Sequence, residues 1–68
     1  MELKINNHKV QFDVDTLSVQ QMLDMHQPTK QRGIAVAVNQ KVISKACWTT
    51  HLLSADDHIL IITATQGG

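Results

Sequence analysis

A chain of 68 residues, 43% of them hydrophobic, has material for one compact core. It does not have enough for a core plus a deep substrate pocket, which usually needs on the order of 300 Å³ or more, because a domain this small buries only about 60% of the surface its unfolded form exposes. Six basic and six acidic residues give a formal net charge of zero, and nothing along the chain forms the basic stripe expected of a nucleic-acid binder.

The single cysteine, Cys47, excludes an internal disulfide framework. A small chain that folds without disulfides fits a reducing, cytoplasmic compartment. Met1-Glu2-Leu3-Lys4-Ile5 lacks the apolar run of a signal peptide, and no stretch approaches the ~20 apolar residues that span a bilayer. The expectation is a soluble cytoplasmic protein with no membrane and no nucleic-acid partner.

Leu3 and Ile5 alternate with Glu2 and Lys4, the period of a half-buried strand. Asn6-Asn7-His8 suits a tight turn because asparagine tolerates positive φ. Val10, Phe12 and Val14 then alternate with Lys9, Gln11 and Asp13, which completes an antiparallel hairpin. Ser18-Val19-Gln20-Gln21 matches a capping box, with Ser18 as N-cap. Val19, Met22, Leu23 and His26 follow on one helical face, with Met25 flanking it and His26 at its boundary, until Pro28 stops the helix.

Gln27 to Gly33 is polar and reads as a loop that holds Lys30 and Arg32. Ile34 to Val38 is a third strand, Asn39-Gln40 a two-residue turn, and Lys41-Val42-Ile43 a short fourth strand. From Ser44 to Leu53 the pattern is irregular or briefly helical, with Trp48, Leu52 and Leu53 expected to fold back onto the core. Ser54-Ala55-Asp56-Asp57 is a turn before a final strand from about His58 to Ala64. Two hairpin-like units around one helix, followed by a last strand, make an α+β chain. The layout is a β-grasp, or ubiquitin-like, fold: a mixed four- to five-stranded sheet packed on one helix. Residues 1–64 form the domain and residues 65–68 a flexible C-terminal tail ending in Gly-Gly.

Cys47 and His51 stand four apart, the spacing that joins a nucleophile and a base on a helix. They have no supporting residues, since His8, His26 and His58 are scattered along the chain. Packing or partial exposure is therefore the reading for Cys47, and no metal or catalytic residue is assigned. Trp48 reads as a core anchor.

The run Ile34 to Ile43, then Trp48, then Asp56 to Ile62, then Gly67-Gly68, resembles the ThiS family, the small sulfur carriers of thiamine biosynthesis. The likeness covers essentially the whole chain. Two departures are turn chemistry: the family often has proline near Ser44 and a glycine-containing turn where this chain has Asp56-Asp57.

The resemblance implies a carrier that is not itself an enzyme and binds no cofactor. A ThiF-like adenylating enzyme uses ATP to form an acyl-adenylate at the carboxylate of Gly68. A sulfur donor linked to a cysteine desulfurase converts that to a thiocarboxylate. A ThiG-like thiazole synthase takes the sulfur into the thiazole of thiamine. The alternatives are a molybdopterin-synthase-type sulfur carrier and a β-grasp interaction module without chemistry.

The ending suits such a role. A free α-carboxylate is ionised at neutral pH and is a poor electrophile until adenylation supplies a leaving group. Gly67 and Gly68 lack Cβ atoms and pass through a narrow opening in extended form. Alternation assigns a partner-docking face. If Ile59, Ile61, Ile34, Val36 and Val38 point at the helix, then Leu60, Ile62, Ala64, Ala35 and Ala37 face outward beside the tail.

Overall fold

The computed structural model describes residues 1–28 and 32–63. Its elements run β1 (Glu2–Ile5), β2 (His8–Gln11), α1 (Val19–His26), β3 (Ile34–Val38), β4 (Lys41–Ile43), a 3-10 turn (Lys45–Cys47) and β5 (His58–Thr63). The strands form one five-stranded sheet in the order β2-β1-β5-β3-β4. Neighbours are antiparallel except β1 and β5, which run parallel with Lys4 opposite His58 and Ile5 opposite Ile59. This mixed sheet with a helix on one face is the β-grasp architecture.

Both hairpins turn through two residues of positive φ: Asn6 and Asn7 at 48° and 70°, Asn39 and Gln40 at 50° and 71°. That is the primed turn whose twist matches the flanking strands. Asparagine occupies the left-handed region at small cost. Gln40 is a less usual occupant.

The second strand is shorter than its alternation predicts, because β2 ends at Gln11 rather than continuing to Val14. Phe12 still donates its N–H to the Met1 carbonyl at 2.8 Å. The Met1 ammonium donates in turn to the carbonyls of Phe12, at 2.6 Å, and Val14, at 3.1 Å. A terminal charge thus takes over where the ladder stops. Phe12 stays buried while the chain leaves the sheet towards the helix.

The helix begins as its sequence predicts. Gln21 N–H donates to Ser18 Oγ at 3.1 Å, and Ser18 N–H donates to Gln21 Oε1 at 2.9 Å, a reciprocal capping box. Val19, Met22 and Leu23 are buried against the sheet, whereas His26 and Met25 are exposed. Gln27 leaves the helix at φ −143°, as the residue before a proline is steered to do.

The irregular segment 44–53 has a non-local explanation. The first amides of a helix lack intrahelical acceptors. Here Val19 N–H donates to the His51 carbonyl at 3.0 Å and Gln20 N–H to the Trp48 carbonyl at 2.9 Å. The segment is therefore the acceptor side of the helix N-terminus. Trp48 anchors it from a position only 2% exposed, its indole N–H donating to the Ile43 carbonyl at 3.0 Å. Leu53 also packs inward, but Leu52 does not: it is 64% exposed, which corrects the expectation that it joins the core. The bridge between Ser18 and Leu52 fixes the backbone there as extended, and successive side chains of an extended chain face opposite ways.

Leu3, Leu17, Val19, Met22, Leu23 and Val36 fill the centre of the core. The capping box predicts a measurable stability. Ser18→Ala should lower the free energy of unfolding by about 1–2 kcal/mol in urea titration, with the native circular-dichroism spectrum retained.

Candidate functional site

The strand that leads to the C-terminus is the central one. β5 lies between β1 and β3, and two turn asparagines extend its hydrogen bonding beyond what the strands supply. β1 ends at Ile5, short of the parallel partner it would need to hold Ile61. Asn6 fills that gap. Its backbone N–H donates to the Ile59 carbonyl at 2.9 Å. Its side-chain Oδ1 accepts from Ile61 N–H at 2.8 Å, and its Nδ2 donates to the Ile61 carbonyl at 3.2 Å. A side-chain amide carries one acceptor and two donors, so it imitates one more peptide unit of β1.

Asn39 does the corresponding work at the start of β5. Its backbone N–H donates to the His58 carbonyl at 2.8 Å, its Oδ1 accepts from His58 N–H at 2.9 Å, and its Nδ2 donates to Asp57 Oδ1 at 3.0 Å. The other carboxylate oxygen of Asp57 accepts from Ser54 N–H at 2.8 Å. Asp56 holds φ 68° in this turn, the left-handed conformation in which aspartate stands in for glycine.

Side-chain alternation along β5 divides the sheet into two faces. Ile59 and Ile61 are buried towards the helix with Val36 and Val38. Leu60 and Ile62 are 48% and 51% exposed on the other face. The register sets Leu60 beside Ala37 and Ile62 beside Ala35, so the four described members of the expected docking face adjoin one another. Ala35 is exposed, but Ala37 is only 8% exposed. It sits opposite Leu60 on one side and Val42 on the other, and larger neighbours overhang it. Ala37 forms a floor between them. Ala64, Gly67 and Gly68 lie outside the described residues.

Sequence reasoning passed over Val42, which is 72% exposed. The Asn39-Gln40 turn already contained the signal, because a two-residue loop pairs Val38 with Lys41 and hence Ala37 with Val42. The cationic side of the same face was also missed. Lys9 stands opposite Lys4, and Lys4 opposite His58. Shallow depressions of about 200 to 250 Å³ border His58.

The Cys47 and His51 spacing is not realised as a helical pair of side chains in a site. Cys47 is exposed on the 3-10 turn and contacts Ser44 Oγ at 3.4 Å through Sγ, while His51 N–H donates to the Cys47 carbonyl at 2.8 Å. Among the described residues no group of three His, Cys, Asp or Glu side chains could hold a metal ion. No helix there is long and apolar enough to cross a membrane.

The asparagine clamp can be tested by separating its two roles. Asn6→Gly keeps the positive φ and loses the amide, and should cost about 1–3 kcal/mol. Asn6→Ala adds a left-handed alanine and should cost roughly 1 kcal/mol more. Urea unfolding gives both values, and hydrogen exchange at the Ile61 amide should accelerate in both variants.

Comparison with known proteins places this arrangement. The model of the ThiS family matches residues 3–68. A crystal structure of the thiamine biosynthesis protein ThiS from Geobacter metallireducens superposes with a TM-score of 0.88 at 19% identity, covering 100% of each chain. An NMR solution structure of a thiamine biosynthesis protein from the same organism gives a TM-score of 0.79 at 20% identity, covering 100% of this chain and 88% of that one. At such identities the likeness establishes the fold. No curated protein matches the chain significantly.

Proposed function

We propose that this chain, which belongs to the ThiS family, is a sulfur carrier of thiamine biosynthesis whose reacting group is the carboxylate of Gly68. The observation that carries the proposal is the family match, which runs through the sheet and the helix and reaches the diglycine. Catalysis on this reading belongs to partner enzymes. The carrier supplies a tether and a docking face.

An adenylating enzyme joins a Gly68 carboxylate oxygen to the α-phosphorus of ATP and releases pyrophosphate. The terminal sulfur of a persulfide, on a donor linked to a cysteine desulfurase, then attacks the acyl carbon and AMP leaves with the original oxygen. A second thiol cleaves the resulting acyl disulfide, forming a disulfide with the donor and releasing the thiocarboxylate. Thiazole synthase accepts that sulfur. Gly67 lets the chain approach the enzyme's reacting centre without a side chain in the way.

The outer face supports docking. Leu60, Ile62, Ala35 and Val42 form a contiguous apolar surface that the fold leaves uncovered, the kind of patch that marks a partner site. We extend that face to Ala64, and assign residues 1–64 to the folded domain and 65–68 to the tail.

Intact mass spectrometry tests the reading. After incubation with ATP, the cognate adenylating enzyme, a cysteine desulfurase, cysteine and a thiol reductant, the chain should gain the mass of one oxygen replaced by sulfur. A variant lacking Gly68 should gain nothing. Its unfolding free energy should stay within about 0.5 kcal/mol of wild type, so that the loss reports chemistry. No adduct on wild type, with an enzyme shown to be active, would leave the interaction module as the reading.

A further inference from the structure

The outer face contains an arrangement that sulfur transfer does not itself require. Register places Lys9 of β2, Lys4 of β1 and His58 of β5 abreast on three neighbouring strands. Their side chains share the face of Leu60, since the alternate residues Leu3, Ile5 and Ile59 are buried on the other. Like charges set directly opposite one another destabilise a sheet. Glu2 and Asp56 line the same depression as the two lysines, a hollow of about 210 Å³. Yet among the described residues no ion pair joins these acids to the lysines. The two lysines therefore stand opposite one another without a direct ion pair, and the carboxylates of Glu2 and Asp56 border the same hollow.

A second hollow, of about 200 Å³, adjoins the first and shares Lys4 and His58 with it. Its lining adds the amides of Asn6, Asn7 and Gln40 to the apolar surface of Ala37 and Leu60. Ammonium and amide donors beside a small apolar floor fit an acidic side chain, with the carboxylate at Lys4 and the methylene stem on Ala37. Two lysines and a histidine in a chain of zero net charge are too short a stripe for a polyanion such as nucleic acid.

We propose that the Lys9–Lys4–His58 row docks an acidic segment of the adenylating enzyme, a proposal that rests on the carrier reading. Reach supports the assignment. Gly68 is five residues beyond Thr63, so a reach of at most roughly 17 Å brings the enzyme close to the end of β5. An interface of standard size, about 800 Å² per partner and thus roughly 30 Å across, extends from there along β5 to His58. The apolar half of the face then buries against the enzyme while the cationic half meets its carboxylates. Such charges set register and encounter rate more than final affinity.

The test compares wild type with the double variant K4E/K9E in ATP–pyrophosphate exchange by the cognate adenylating enzyme. Amide chemical-shift mapping of the labelled carrier runs beside it. The double charge reversal should raise KM for the carrier about tenfold with kcat unchanged. Raising the salt concentration should weaken wild type and lower the KM of K4E/K9E, so that the two converge. Enzyme addition should shift the amides of Lys4, Lys9, His58 and Leu60. A neutral variant, K4Q/K9Q, removes the repulsion without placing two glutamates opposite one another; its urea midpoint should equal or exceed that of wild type while its KM still rises, and this separates lost docking from lost folding. Exchange by wild type, with KM for K4E/K9E within twofold, would overturn the row and leave the carrier reading intact. No exchange and no shifts with wild type, using an enzyme active on another carrier, would overturn both.

Discussion

The structure depends on the double-sided hydrogen bonding of β5. A central strand has to satisfy peptide groups on both flanks, since a buried amide or carbonyl without a partner costs about 1–3 kcal/mol. β3 covers one side of β5 over five paired positions, whereas β1 supplies only two. The deficit falls on the side where the chain has just turned back on itself. Asn6 makes it good with its own amide. Because the same residue takes positive φ in the turn, one asparagine closes the hairpin and completes the neighbouring parallel ladder. Asn39 repeats the device at the other end of β5.

That arrangement explains why the two faces of the sheet differ. Once β5 is locked in register, period-two alternation determines which residues meet the helix and which meet solvent. Ile59 and Ile61 close the core beneath Met22 and Leu23, and the same register lines up Val42, Ala37 and Leu60 across the outside. Moving towards β2, the outer face changes from aliphatic to cationic within one strand. A one-residue slip of β5 would bury His58, Leu60 and Ile62 and expose Ile59 and Ile61. The side-chain amides are thus as much determinants of the outer surface as the residues displayed on it.

Much of this was legible from local chemistry. Ser18 and Gln21 announce a helix start because both capping partners lie within four residues. Asn6-Asn7 and Asn39-Gln40 announce turns because few residues tolerate their backbone angles. The two phases of β5 follow from strict alternation. What could not be read required partners distant in sequence. Phe12, beyond the end of β2, still exchanges hydrogen bonds with Met1. The Trp48 to His51 backbone is irregular because it accepts from a helix thirty residues away. Leu52, as apolar as Leu53, is turned outward by its bridge to Ser18. The cationic row is invisible along the chain, where Lys4, Lys9 and His58 are scattered, and emerges only when strands from both termini become neighbours.

A ladder completed by a side-chain amide has a chemical lifetime as well as a thermodynamic one. Asparagine is among the thermolabile residues, and its hydrolysis product at position 6 would keep the oxygen that accepts from Ile61 N–H but lose the nitrogen that donates to the Ile61 carbonyl. An anionic oxygen would then face that carbonyl across a short gap, and attraction would become repulsion. Ageing of the protein would begin in a turn and act on its central strand, with every apolar contact of the core still in place.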